Sequence, residues 1–144
     1  MAVKIISDST SYLPRAVRDE LDIGIAHVRV RLDGIDYPDD AEDCEVFFRA
    51  LEASSMMPVT SQPTPGELAA LMEERVAAGH AVAGVFISDR LSGTCAAART
   101  ARAMVLEQYP TASIEVVDSE SNSTELGLAV LAAARAAADG LDLA

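Results

Sequence analysis

One stretch limits the possible folds more than any other: residues 82–102, VAGVFISDRLSGTCAAARTAR. Its first part, Val82 to Ile87, is a short apolar run rich in β-formers, the pattern of a strand buried in a parallel sheet. Residues 88–94 are small and hydroxyl-bearing, and from Cys95 to about Gln108 the alanine content predicts a helix. A strand that ends in hydroxyls and a glycine and then opens a helix aims free backbone N–H and side-chain O–H groups at one point. Such a point receives an anion. The same residues also suit an ordinary turn, with Ser92 as N-cap and Gly93 easing the bend.

The pattern recurs along the chain. Residues 3–7 form a β-rich run that stops at Asp8-Ser9-Thr10-Ser11, and Pro14 can occupy the first turn of a helix reaching about Leu21. Residues 23–32 are the second strand, with His27, Arg29 and Arg31 alternating against Val28, Val30 and Leu32, as expected near a sheet edge. Gly34 marks a turn and residues 37–40 a loop. Residues 43–53 predict an amphipathic helix with Val46, Phe47, Ala50 and Leu51 on its inner face. Residues 53–63 lack periodicity, and Thr64 with Glu67 forms a capping box around Pro65 that starts a helix to about Ala78. Residues 114–117 are the last strand, ending in Asp118-Ser119, and a helix runs from about Asn122 to Ala138, stopped by Gly140.

Strands alternating with helices imply a three-layer α/β/α domain with a parallel sheet of about four strands, ordered 2-1-3-4. In that order the connections leaving strands one and three depart to opposite faces, and a ligand crevice opens between their carboxyl ends. The Asp8-Ser9-Thr10 turn and the 88–94 turn should meet there. Thr60-Ser61-Gln62, just upstream of the capping box and unexplained by it, offers further donors and acceptors.

Composition narrows the partners. With 144 residues the chain is one domain's worth, and its apolar residues (50%) include few aromatics (4%) and no Trp. The core is therefore built from Ala, Val, Leu and Ile, small residues that leave room for an elongated apolar guest. A net charge of −12 argues against nucleic acid and against an anionic membrane surface. No apolar run approaches the length needed to cross a bilayer, and the chain enters a strand without a leader, so a cytoplasmic location is expected. Cys44 and Cys95 lack metal-ligand spacing and are expected to be reduced. His27 and His80 suit structural positions.

Several enzyme classes lack their motifs. Leu91-Ser92-Gly93 lacks the leading glycine of a nucleophile elbow, no Gly-Lys-Ser/Thr follows a strand, and Ser7-Asp8-Ser9-Thr10 replaces a dinucleotide-binding glycine loop. A sugar- or polyol-phosphate binding module and a hydrolase using Ser92 remain as alternatives. Asp8 and Asp118 suit braces of their own turns as well as ligand contacts, since a bare carboxylate repels an anionic guest.

Taken together, a first strand ending in Asp-Ser-Thr, the Thr60-Ser61-Gln62-Pro63-Thr64-Pro65 loop, Leu91-Ser92-Gly93-Thr94 opening a helix, and a strand ending in Val116-Val117-Asp118-Ser119 resemble the DegV family of bacterial fatty-acid-binding proteins. The resemblance covers nearly the whole chain in order. It implies a protein that binds a long-chain fatty acid, without a cofactor or catalytic groups of its own. The carboxylate would be presented to a separate dihydroxyacetone-kinase-like fatty acid kinase, which makes the acyl phosphate. The head-group contacts it implies fall on Thr60, Ser61, Ser92, Gly93 and Thr94. Asp8, Ser9 and Thr10, and with them Asp118 and Ser119, would line the adjoining crevice. This chain departs from the family at Cys95, where an aromatic is common, and at Glu125, near a usual glycine. Family members are about twice as long, so residues 1–144 correspond to their N-terminal α/β domain. The second domain, which supplies an arginine and a histidine near the carboxylate, has no counterpart here.

Overall fold

In the computed structural model, which describes residues 1–40 and 44–143, alternation of apolar residues along two central strands sorts the core into two layers. These strands are β1 (Val3–Asp8) and β6 (Ala81–Phe86). Ile6, Val82 and Phe86 point to one face of the sheet, where they meet Leu68 and Met72 of α3 (Pro65–Ala77) and Ala98, Ala101 and Val105 of α4 (Thr94–Gln108). Val3, Ile5, Ala83 and Val85 point to the other, against Leu126, Val130 and Ala134 of α5 (Ser123–Ala138). The short α1 (Arg15–Glu20) lies between β1 and β2 in sequence, and Leu13 and Leu21 beside it pack on the α5 layer.

The main sheet is four-stranded and parallel, in the order β2-β1-β6-β7, with β2 at Gly24–Ala26 and β7 at Ile114–Asp118. This is the order expected from the sequence, 2-1-3-4 among the strands of that sheet. The chain leaves β1 toward the α5 layer and β6 toward the α4 layer, so the switch point of the sheet lies between the carboxyl ends of β1 and β6.

Three expectations are corrected. The second strand does not run unbroken over 23–32: β2 ends at Ala26, and β3 (Arg29–Leu32) belongs to a second, antiparallel sheet with β4 (Ile35–Pro38) and β5 (Val59–Ser61). The alternation of Arg29 and Arg31 with Val30 and Leu32 was a true strand signal, but of a different sheet. Accordingly Tyr37 and Pro38, expected in a loop, pair with Val30 and Arg29, and Thr60 and Ser61, also expected in a loop, are an edge of the same sheet. Finally, the amphipathic helix α2 (Cys44–Ala53) buries none of its residues. Its expected start at Asp43 lies outside the described residues. Phe47, Ala50 and Leu51 are half-covered, Phe47 by an edge contact with Tyr37, while Val46 and Phe48 face solvent.

Candidate functional site

Asp8 ends β1 and is fully buried. Its Oδ2 accepts the Ile87 backbone N–H at 2.8 Å, and its Oδ1 accepts the N–H and hydroxyl of Thr10 at 3.0 and 2.5 Å. One carboxylate thus joins the carboxyl end of β1 to that of β6. Burial pushes its pKa above the ordinary value, more than these hydrogen bonds pull it down, and the charge of Asp39 adds to the rise. Ser9 ties the two sheets together: its hydroxyl accepts the Val28 N–H at 3.0 Å and donates to Asp39 at 3.2 Å. Asp8, Ser9 and Thr10 therefore have their side chains engaged in bracing the first turn. Gly127 completes the brace from the other layer, because a β-carbon there would lie 2.5 Å from the Ser11 carbonyl oxygen.

The second turn stands beside the first. Leu91 and Ser92 donate backbone N–H groups to the Ser88 carbonyl at 2.9 and 3.1 Å, closing a tight loop before α4. Ser92 and Thr94 share a hydroxyl hydrogen bond of 2.8 Å, and the Thr94 N–H points to Ser92 Oγ at 3.3 Å. Gly93 is the helix N-cap and offers no side-chain cap. The first hydrogen bond of the helix is Ala97 N–H to Gly93 C=O, at 2.9 Å, which leaves the backbone N–H groups of Cys95 and Ala96 without helical acceptors. Asp118 braces the far side, accepting the N–H of Glu120 at 2.9 Å and of Asp89 at 3.3 Å, and Ser119 bonds Ser121. The Cys95 thiol, buried behind the turn, is pushed up to about 11, first by burial, with Asp89, Asp118 and Asp8 adding to it. It is no nucleophile at neutral pH.

The third contributor is β5. Thr60 and Ser61 are exposed, and their hydroxyls make no hydrogen bond to a described residue. The next residue, Gln62, was not singled out by the resemblance. Its carboxamide lies directly against Gly93: a β-carbon on Gly93 would meet Oε1 first and would lie 2.9 Å from Nε2. Pro63 behind it is fully buried and fixes the exit from the strand. Of the expected convergence the structure shows two links: Asp8 holds the Ile87 N–H at the carboxyl end of β6, and Gln62, next to Thr60 and Ser61, lies against Gly93 of the second turn. The sequence signal for Gln62 was its place in a polar run that the Thr64 cap did not require.

The alanine-rich faces are closed. Ala98 and Ala101 are fully buried against the sheet, so their small size brings α4 close rather than lining a channel. An open groove of about 320 Å³ lies instead between β2 and α3, lined among others by Ile25, Ala26, Pro63 and Leu71. Among the described residues no group of side chains is arranged to hold a metal ion, and no helix is long and apolar enough to cross a membrane.

This geometry has relatives. The family model described as "Uncharacterised protein, DegV family" matches residues 2–144. The chain belongs to the DegV family. A DegV domain-containing protein of Clostridium acetobutylicum is 39% identical over 143 residues, covering 99% of this chain and 50% of that protein. Among solved structures, a stearic-acid-binding protein from Eubacterium ventriosum superposes with a TM-score of 0.87 at 31% identity, over 98% of this chain and 49% of that one. DegV of Bacillus subtilis, described as a fatty acid binding protein, superposes with a TM-score of 0.86 at 29% identity, over 97% and 49%. The DegV-family chain thus spans about half the length of the curated relatives it matches.

Proposed function

We propose that this DegV-family chain holds the carboxylate of a long-chain fatty acid between Thr60-Ser61 and the start of α4, and presents it to a separate dihydroxyacetone-kinase-like fatty acid kinase. The observation that carries the reading is the contact of Gln62, which follows the two exposed hydroxyls of β5, with Gly93 at the start of α4, where no side chain caps the helix. Hydrogen bonds to a charged group contribute about 1.5–3 kcal/mol each. Burying roughly ten methylenes adds about 8 kcal/mol of gross transfer free energy. Relatives described as binding stearic acid or fatty acids share this half of the fold.

Cover for the acyl tail, and the basic groups that complete the carboxylate's neutralisation, come on this reading from the family's second domain. Ile35, Phe48, Met56, Met57 and Val59 of the second sheet and its surroundings are exposed apolar residues consistent with such cover. A phosphate-bearing ligand suits the site less well. Its second charge asks for a cation: Arg99 pairs with Asp89 and Arg29 with Glu67, and the one guanidinium of the turn without an ion pair among the described residues, Arg90, is exposed to solvent. A hydrolase is disfavoured too, since the Ser92 hydroxyl bonds Thr94 and neither His27 nor His80 hydrogen-bonds it.

Denaturing extraction of the protein with the family's second domain present, followed by mass spectrometry, tests the carrier reading. A stoichiometric long-chain fatty acid is expected, and repeated extraction of folded protein without lipid would overturn it. Acyl-phosphate formation on adding such a kinase and ATP, dependent on the loaded carrier, tests the presenting role. Ester turnover lost in Ser92→Ala would favour the hydrolase instead.

A further inference from the structure

The second sheet joins the domain through polar contacts rather than through the core. Neither core layer takes a residue from β3, β4, α2 or β5, and Leu32, the one buried apolar side chain among the described residues of these elements, belongs to neither. What crosses to the α/β layers is a small set of hydrogen bonds and ion pairs. Ser9 is at its centre: its hydroxyl accepts the Val28 N–H at 3.0 Å and donates to Asp39 at 3.2 Å, so one side chain of the first turn holds the residue before β3 and the residue after β4. The Asp39 N–H closes the pair on the Val28 carbonyl at 3.0 Å. Beside it Arg18 reaches Asp40 at 3.4 Å, and the exposed Arg29 pairs with Glu67 of α3.

Apolar burial is the strong term in holding one element on another, whereas exposed ion pairs are weak and screened. An element held in the second way opens at a lower free energy than the core beside it. The ends of the sheet suit hinges. His27 and Val28 link β2 to β3 outside any strand, and Pro63, fully buried, anchors the chain where it passes from β5 to α3.

We propose that β3, β4 and β5 form a flap that opens and closes as one unit, hinged at residues 27–28 and at Pro63 and latched by the Ser9 hydroxyl, while the parallel sheet stays folded. Thr60, Ser61 and Gln62 move with it, so opening lifts Gln62 from Gly93. The inference stands on packing and holds whichever ligand the site takes.

Native-state hydrogen exchange of the purified protein in rising, sub-denaturing urea tests it. Amides of residues 29–32 and 59–61 are expected to exchange through an opening that responds weakly to urea, because it exposes little surface, and those of β6 through one that responds strongly. Val130→Ala, a truncation in the α5 layer away from the flap, is expected to speed exchange of β6 at least tenfold and to leave the flap within about twofold, because the core is intact whether the flap is open or closed. Ser9→Ala is expected to speed exchange of the flap about tenfold, the loss of a latch shared by two partners. Flap amides that follow β6 in their urea dependence, or that quicken with it in Val130→Ala, would show one cooperative unit and overturn the flap. Flap exchange unchanged in Ser9→Ala would overturn the latch.

Discussion

Two helices of this chain start within one short segment of each other in space and are built in opposite ways. At the start of α3 the polar groups are turned on one another: Thr64 accepts the Glu67 N–H at 3.2 Å, Glu67 accepts the Thr64 N–H at 2.8 Å, and Arg29 closes over the glutamate. At the start of α4, Gly93 provides no side-chain cap, and the exposed amide of Gln62, just after β5, lies against it. The first is satisfied and serves the fold; the second is left open, and on the proposed function it serves a guest. Absence of a cap is not by itself the signal, for α5 also begins without a side-chain cap at Asn122. The signal is convergence of separate chain segments on the open end.

The largest effect should come from beneath the open end. Asp8→Ala removes the acceptor of a buried Ile87 N–H and of both Thr10 donors, which is expected to destabilise the domain by about 2–4 kcal/mol in denaturant unfolding. Because burial raises the Asp8 pKa above its unfolded value, its favourable share is fully present at low pH and declines as pH rises through the raised value. The gap between wild type and Asp8→Ala should therefore be widest in acid. A variant as stable as wild type would show that sheet pairing alone joins β1 to β6.

Next come the open end's own groups. Thr60→Ala and Ser92→Ala should each reduce fatty-acid affinity about tenfold, the loss of one hydrogen bond to a charged group; Thr60→Ala should shift stability by less than about 0.5 kcal/mol, and Ser92→Ala, which takes a partner from buried Thr94, by about 1 kcal/mol. Unchanged retention in both would move the head-group site away from α4 and erase the contrast with α3.

How much of this was legible in sequence follows from the same physics. Strands β1, β6 and β7 were readable because each runs into a hydroxyl turn and a periodic helix, and the unbroken apolar run of β6 is what burial on both faces demands, whereas β2 was hidden inside the longer alternating run of 23–32. The second sheet was not readable, since β4 and β5 are short and exposed: Ile35 and Val59 face solvent, and Thr60 and Ser61 carry the composition of a loop. The amphipathic pattern of α2 foretold a buried face that these residues do not supply, because periodicity states only that a helix has an apolar side, not what covers it. Within the site, the motif residues were legible as polar and small. That Ser9 would brace Val28 and Asp39, and that Gln62 would rest on Gly93, depended on which strands became neighbours, and β3 had been assigned to the wrong sheet.

The closed end should answer differently. Thr64→Ala is expected to cost about 1 kcal/mol of stability and to leave fatty-acid affinity unchanged, the reverse of Thr60→Ala.

Glu67→Gln is the subtlest probe, because glutamine still closes a capping box and only the charge is lost. The Arg29 guanidinium and the Thr64 N–H and hydroxyl hold the Glu67 carboxyl down to about 2, below its unfolded value. A carboxyl lowered in this way contributes stability above the unfolded pKa of about 4.5 and loses it as pH falls toward about 2. The pair is exposed and screened, so the contribution is under about 1 kcal/mol at low salt. Thermal melts should place wild type above Glu67→Gln at pH 6, with the two converging as pH falls below 4 and as salt is added. A constant gap across that range would mean that the cap's geometry, and not the carboxylate's charge, is what the α3 start requires. Charge would then cease to distinguish it from the open start of α4.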